Sequence, residues 1–330
     1  MTSNGVVFLS ASDVRTLLTL DECSAAVELA FRLHGEGMTI PPSVLAVHVP
    51  GGGFHIKAGA LSLSRNYFAA KVNANFPENP FRFGLPTIQG MIILCDADNG
   101  SPLALLESGE VTALRTAAAT AVAAKYLARP DSRVLTICGC GTQARAQLAA
   151  LARIVALDAV FAYDKNQQQA ADFVRDLATD LLPITAVAEP SISVRKSDMC
   201  ITCTTSRAPL ISESEIRPGI FIAAVGADNP QKQEIDPALM ASSKVVCDVI
   251  EQCAVMGDLH HALSAGNMRK DDVHGELGEI VAGRRPGRES AEEVIVFDST
   301  GMALQDVAAS ALVYEKAIRE QAGTRLRLAA

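Results

Sequence analysis

Two rhythms of apolar residues alternate along the chain, and the places where one gives way to the other divide it. Between residues 12 and 37 apolar positions recur at three and four, which predicts two helices. Ser12 can cap "DVRTLL", Thr19 with Glu22 makes a capping box ahead of "CSAAVELAFRL", and Gly35 and Gly37 end the second helix. From about 44 to 107 the runs shorten. "VLAVHV", "YFAAKVNANF" and "GMIILCDAD" are broken by "PGGG", "PENP" and "DNG", which predicts strands joined by turns in a mixed sheet. Residues 110–128 form an alanine-rich helix closed by Pro130 and Asp131. Apolar runs then recur at 133–138, 159–163, 184–187, 199–203, 219–225, 244–249 and 294–297, separated by helical or turn-rich segments. That alternation predicts βαβ units and a parallel sheet. After "FDSTG", the segment "MALQDVAASALVYEKAIREQ" is a final helix. The fold class expected is α/β, with a Rossmann doubly wound parallel sheet inserted into an α+β domain that the last helix completes.

The turn after the first of these parallel strands carries the first candidate chemistry. In "RVLTICGCGTQARAQ" the spacing of Gly139, Gly141 and Ala144 fits G-x-G-x-x-G/A, follows a strand and opens a helix. Gly139 would permit the tight turn, Gly141 would let the backbone approach a pyrophosphate, and the helix N-terminus would supply N–H groups to it. The next strand, "AVFAYD", ends in Asp164, about 20 residues beyond the motif, where a carboxylate accepts the ribose hydroxyls of NAD. That carboxylate would repel a 2′-phosphate, while the adjacent Lys165 softens the discrimination, so NAD(H) is favoured and NADP(H) stays open. Cys138 reads as a small hydrophobe at the strand end. Cys140, at a helix N-terminus that lowers thiol pKa, is expected to be alkylated and to be protected by NAD.

Four ionisable residues sit where solubility alone would not put them. Lys71 interrupts "YFAAKVNANF", Lys57 lies in "FHIKAGA", Arg115 stands in the alanine-rich helix, and Asp228 follows "IFIAAVGA". Charges are rarely buried without a partner, so these either snorkel to the surface or converge on a ligand. Three cations and a carboxylate suit an anionic amino or imino acid, whose carboxylate Arg115 would grip bidentately. Asp228 follows the fifth strand of the predicted parallel sheet, at the carboxyl end where ligands gather.

Composition narrows the alternatives. The chain has 330 residues, 49% hydrophobic and 20% charged, enough for a large core in one or two domains. A net charge of -8 with the signs interspersed offers no basic face to a nucleic acid. No run approaches the roughly 18 apolar residues of a membrane helix, and "MTSNGVVFLSASDVR" lacks the segments of a secretory leader, so a cytoplasmic location is expected. The 8 cysteines then read as buried thiols. Cys200 and Cys203 in "CITC" have no second pair or suitably spaced histidine to complete a zinc site, and no metal is expected.

Taken in order, "LRTAAATAVAAKYLA", "GCGTQARAQ", "AVGADNPQKQEI" and "FDSTG" resemble the ornithine cyclodeaminase/mu-crystallin family over nearly the whole chain. The resemblance implies a homodimer, with a substrate-binding and dimerisation domain at 1–116 plus 305–330 and a Rossmann domain at 117–304. It also implies a site at the domain interface where a nicotinamide faces an amino or imino acid. By resemblance, Lys71 and Arg115 match the family's basic active-site residues, Asp228 the acidic residue that assists catalysis, and Thr87 in "GLPTIQG" lies near the substrate. Cofactor contacts would come from Thr116, from Gly139, Cys140, Gly141, Thr142 and Gln143, from Asp164, Thr204, Val225 and Gly226, and from Ser299, Thr300 and Gly301. Two departures matter. Ser43 in "IPPSVLAV" stands at or near the place of a carboxylate-binding arginine, and Lys57 is the natural substitute, as in the family's alanine dehydrogenase branch. His55 replaces the glutamate with which cyclodeaminases tend to hold the distal amine of ornithine.

The reading that results is an NAD(P)H-dependent reductase of α-imino acids, with Δ1-pyrroline-2-carboxylate the first candidate substrate and Δ1-piperideine-2-carboxylate the second. Hydride would pass to the C=N carbon while Lys71 or Asp228 supplies the proton. The alternatives are an ornithine cyclodeaminase, an amino-acid dehydrogenase and, from another class, a non-catalytic crystallin-like binder, against which the retained Lys71, Arg115 and Asp228 count.

Overall fold

The computed structural model describes residues 5–327; residues 1–4, the start of the segment read above as leaderless, and 328–330 lie outside the described residues. The chain divides into two compact units, Met1–Arg115 with Met302–Ala330, and Thr116–Gly301.

The first unit begins with β1 (Val6–Leu9), α1 (Ala11–Leu17) and α2 (Leu20–Gly35). The expected capping box at Thr19 and Glu22 is present, whereas α1 is capped two residues earlier than expected. Ser10, reciprocally bonded to Asp13, is its N-cap, and Ser12 lies inside the helix. Ser10 wins because Asp13 stands at the third helical position to answer it. Then come β2 (Ser43–Val49), β3 (Gly52–Ser62), β4 (Asn66–Asn75), the short α3 (Asn79–Arg82), β5 (Ile88–Asp96), β6 (Pro102–Glu107) and α4 (Ser108–Leu127), whose Arg115 and Thr116 mark the division.

The second unit is built from β7 (Val134–Cys138), α5 (Thr142–Leu151), β8 (Ala159–Tyr163), α6 (Gln167–Leu177), β9 (Ile184–Val187), α7 (Pro190–Val194), β10 (Met199–Thr202), β11 (Arg207–Ile211) and β12 (Phe221–Ala224). It continues through β13 (Gln233–Ile235), α8 (Pro237–Ser242), β14 (Lys244–Cys247), α9 (Ile250–Met256), α10 (Asp258–Ser264), β15 (Gly275–Glu276), α11 (Leu277–Val281) and β16 (Ile295–Asp298). Its sheet runs β15-β14-β16-β12-β10-β7-β8-β9, and every pair in it is parallel. Strands β7, β10, β12 and β16 are covered on both faces, which explains their mostly apolar sequence. The α/β reading holds. The chain winds one way from β7 to β9 and the other way from β10, so a switch point opens between β7 and β10 at their carboxyl ends, where such sheets bind ligands.

The chain then returns to the first unit as α12 (Ala303–Glu320) and β17 (Thr324–Leu326). That unit's mixed sheet is ordered β17-β1-β6-β5-β4-β3-β2, with only β1 and β6 parallel among its pairs. Helix α12 lies on β3, β4 and β5 and against α2, which is why its first half is buried all round. Gly59 of β3 allows the close approach, since a Cβ there would stand 3.0 Å from the Leu304 side chain. No helix among the described residues is long and apolar enough to cross a membrane.

Candidate active site

The long hairpin of β3 and β4 sets Lys57 directly opposite Lys71. Both point to the face covered by α12, because residues alternate across a sheet and Lys71 reaches Asp306 on that helix. Arg115 comes from α4 to the same carboxylate. Lys71 Nζ lies 2.9 Å from each oxygen of Asp306, Arg115 Nε donates to Oδ1 at 3.0 Å, and Arg115 Nη1 donates to Gln305 Oε1 at 2.9 Å. Thr112, one turn before Arg115, accepts from Lys71 Nζ at 3.3 Å. All three cations are buried, with 6% exposure for Lys57, 3% for Lys71 and 5% for Arg115, so none of them snorkels. Three buried basic groups thus face one buried carboxylate.

The electrostatics follow from that imbalance. Burial, and then repulsion from Arg115, lowers Lys71 to about 7 against the pull of Asp306. Burial alone would raise Asp306, but Lys71 and Arg115 outweigh it and hold the carboxyl below its usual value. An anion entering beside these groups replaces water that burial has already removed, which strengthens its attraction to them.

The other residues singled out in this unit are placed less centrally. His55 lies two positions from Lys57 on the same face of β3, opposite Asn73. Asn73 is fixed by Ser108, whose hydroxyl donates to Asn73 Oδ1 at 2.7 Å. Ser43 is exposed at the start of β2, paired with Ala58. Thr87 precedes β5 five residues ahead of Ile92, the partner of Lys71, or roughly 16 Å along the strand, so the structure does not gather it with the cations.

In the second unit the candidates cluster in the loops after β7, β10, β12 and β16. Gly139 has φ 92°, a conformation that favours glycine, and a Cβ there would stand 2.9 Å from Cys203 O. Gly141 is the N-cap of α5 without any side-chain cap, and nothing lies within 4 Å of where its Cβ would be. The open space before an uncapped helix N-terminus, with Thr142 exposed and Gln143 half-buried beside it, fits a pyrophosphate. Asp164 is fastened at the end of β8, accepting from Cys140 N and Asn166 N, each at 2.8 Å, with Lys165 exposed next to it. Thr116, on α4, accepts at its carbonyl from Thr120. Asp228 is only half-buried and receives Lys232 Nζ at 2.7 Å and Asn229 at 3.3 Å.

Cys140 contradicts the expectation of a reactive thiol. It is 3% exposed, its Sγ donates to Tyr163 O, and burial, reinforced by Asp164, pushes it up to about 12. The helix N-terminus favours a thiolate only where solvent reaches the sulfur. Cys203 is also held as a thiol, on the carbonyls of Cys138 and Gly139, and burial raises it well above its ordinary value.

Four further residues are central to this geometry. Asp306 carries a usable sequence signal, because it is the only charge in α12 before Glu315, as Arg115 is a charge in an apolar helix. Its neighbour Gln305 had none. Glu234 stands among other polar residues and carries no such signal, whereas Asp248, between Cys247 and Val249 at the end of an apolar run, carries the same one as Arg115. Glu234 accepts from Thr202 Oγ1, Thr204 N and Oγ1, and Gly226 N at 2.6 to 2.8 Å, tying the loops after β10 and β12 together. Val225 completes that junction through its N–H to Thr202 O. Asp248 holds the loop after β16 by accepting from Ser299 Oγ, Thr300 Oγ1 and Gly301 N.

Residues 5–321 match the model of the ornithine cyclodeaminase/mu-crystallin family. The chain is 38% identical over 322 residues to an alanine dehydrogenase of Archaeoglobus fulgidus, covering 97% of this chain and 98% of that one. Its structure matches an archaeal alanine dehydrogenase dimer with bound NAD at a TM-score of 0.94 and 37% identity, over 98% and 99% of the two chains. It also matches a Δ1-pyrroline-2-carboxylate reductase of Thermococcus litoralis in complex with NADH and L-proline, at a TM-score of 0.92 and 34% identity, over 97% and 100% of the two chains.

Proposed function

The chain belongs to the ornithine cyclodeaminase/mu-crystallin family, and from that premise we propose that it is an NAD(H)-dependent oxidoreductase that reduces α-imino acids, with Δ1-pyrroline-2-carboxylate to L-proline as the reaction its site supports best. The observation that carries the proposal is the convergence of Lys57, Lys71 and Arg115 on the single carboxylate of Asp306 in a buried site. An imino acid brings to these buried cations a carboxylate beside a basic nitrogen.

In this reading Lys57 and Arg115 hold the substrate carboxylate. Lys71, lowered to about 7, carries a proton near neutrality and gives it to the imine nitrogen. Protonation makes the C=N carbon electrophilic. The dinucleotide, held by the turn from Gly139 to Gln143, by Asp164 and by the loops carrying Thr116, Thr204, Val225, Gly226 and Ser299 to Gly301, supplies the hydride when bound. Asp228 stabilises the iminium, with Lys232 as its counter-charge. The carboxylate of Asp164 favours NAD(H) over NADP(H). We assign the protein to the cytoplasm.

A second reading, an amino-acid dehydrogenase, is favoured by the 38% identity to the archaeal alanine dehydrogenase. It uses the same cations and requires ammonia as co-substrate. A cyclodeaminase is disfavoured because His55 offers no carboxylate to a second ammonium. Oxidation of NADH is to be followed with Δ1-pyrroline-2-carboxylate, Δ1-piperideine-2-carboxylate, and pyruvate with ammonia. Turnover of a cyclic imine supports the first reading, and turnover of pyruvate only with ammonia replaces it with the second. A protein that binds NADH and reduces none of them sinks both.

A homodimer is part of the same proposal. The face of the mixed sheet turned away from α12 carries Leu45, Val47, Val49, Phe54, Val72 and Met91, which are 36% to 56% exposed and stand on adjacent strands. So much contiguous apolar surface marks an interaction site, and a second copy presents the same face to it. Val72→Glu is expected to yield monomers by sedimentation, and an unaltered assembly would remove this part of the proposal.

A further inference from the structure

Lys71 is anchored more completely than a proton donor requires for charge alone. A lysine ammonium has three N–H directions besides its bond to Cε. One is taken by Asp306 and one by Thr112, which leaves one direction. Arg115 is fixed in a similar way. Its Nε is held by Asp306 and its Nη1 by Gln305, so Nη2 has no hydrogen-bond partner among the described residues. Asp306 lies in the first turn of α12, where the helix favours a negative charge. It therefore joins the two cations through a rigid element.

We propose that Asp306 is a positioning residue for proton transfer: by anchoring Lys71 and Arg115 together it leaves Lys71 one N–H direction for the imine nitrogen and leaves Arg115 its outer edge for the substrate carboxylate. The inference rests on the reading of Lys71 as proton donor. In the step, an Nζ–H bond of Lys71 breaks and an N–H bond forms on the imine. A hydride from the reduced dinucleotide forms the new C–H bond, the nicotinamide is oxidised, and Lys71 is left as a neutral amine that regains its proton from water. Anchoring two N–H groups serves both states, because the third position holds a hydrogen in the ammonium and the lone pair in the amine.

The charged and titratable groups facing Lys71 are Lys57 on β3, Arg115 on α4, Asp306 on α12 and, beyond them, Cys23 on α2. Burial pushes the Cys23 thiol up to about 12, so it stays neutral. Asp306 is the only anion in the set. Its removal alters the protonation of Lys71, and its displacement at constant charge alters only where the free N–H of Lys71 points.

The test is the titration of Lys71 by competitive acetylation with acetic anhydride, read by mass spectrometry in the full chain, in parallel with the pH profile of imine reduction. In Asp306→Asn the midpoint of Lys71 acetylation is expected to fall by about one to three pH units. The high-pH limb of kcat is expected to move by the same amount, with kcat reduced more than KM is raised. An unmoved midpoint, or a rate loss equal at every pH, overturns the inference. If Asp306→Asn fails to fold, Asp306→Glu keeps the charge and displaces the oxygens. It is expected to keep the midpoint and lose at least about tenfold in kcat, and a wild-type rate overturns the inference. Acetylation needs no turnover, so a protein that reduces no imine still reports whether Asp306 controls Lys71, and the two failures are told apart.

Discussion

The two units bury charge in opposite ways. In the first, three cations surround one carboxylate, and charge is balanced by charge, incompletely. In the second, Glu234, Asp248, Asp258 and Asp298 are all fully buried around the ends of the parallel strands. Backbone N–H groups and hydroxyls bond to them, including Glu234 N and Ile235 N on Asp258 Oδ1 and Leu259 N on Asp298 Oδ2, while Asp258 Oδ2 and Asp298 Oδ1 have no hydrogen-bond partner among the described residues. Burial raises Glu234, Asp258 and Asp298, the last to about 7. The cationic cluster sets Lys71 and Arg115 on one carboxylate, with Lys57 opposite Lys71, whereas the acidic cluster holds loops. Cys247 and Cys253 lie with Asp298 inside the acidic cluster, their ligand atoms within 4.8 Å of one another. The hydrogen bond from Cys253 lowers Cys247, but burial and neighbouring carboxylates leave it at about 11, and burial raises Cys253 well above its ordinary value. In the absence of a metal both stay thiols.

The sharpest break of this contrast is Lys71→Ala, which is expected to cut imine reduction by about 100- to 10,000-fold. Fluorescence titration is expected to find NADH affinity unchanged. Next comes removal of the shared carboxylate. Asp306→Ala strands two buried cations and is expected to cost about 3–5 kcal/mol by urea denaturation. Glu234→Gln, which keeps an acceptor among neutral donors, is expected to cost about 1–3 kcal/mol. Equal costs would erase the distinction between the two clusters.

Titration separates the clusters further, with opposite signs. Reduction needs protonated Lys71, so its rate is expected to fall as pH rises through about 7, while amine oxidation, which needs the neutral form, rises. Between about 7 and 10.5 the folded state binds fewer protons at Lys71 than the unfolded state, so this group's contribution to stability grows with pH across that window. Asp298 is raised from 3.8 to about 7, so its contribution is complete below 3.8 and is lost as pH rises through about 7. Thermal melts against pH are expected to flatten in the upper window for Lys71→Met and in the lower for Asp298→Asn. The smallest expected effect concerns Cys140, whose thiol at about 12 is expected to resist iodoacetamide at neutral pH equally with and without NAD. Rapid labelling would place its sulfur in solvent.

Much of this was legible from residue order alone. The seven apolar runs assigned to parallel strands correspond to β7, β8, β9, β10, β12, β14 and β16, most clearly for the central strands, which are covered on both faces and therefore mostly apolar. The glycine turn was legible because its motif is local. The short strands β1 and β17, of four and three residues, were not, since their pairing joins opposite ends of the chain. Lys57, Lys71 and Arg115 stood out because a charge in an apolar run is costly wherever it ends up. Their meeting point did not, because Asp306 lies 235 residues from Lys71 and 191 from Arg115, and no local pattern encodes that approach.

By itself, then, the sequence determined most of the strands and helices, the glycine turn between β7 and α5, and which charges needed an explanation, since periodicity, glycine conformation and desolvation act through local neighbours. Only the tertiary structure decided how those charges are resolved. Solvent access to Cys140, the four donors on Glu234 and the shared carboxylate between Lys71 and Arg115 all depend on surfaces that folding brings together from distant parts of the chain.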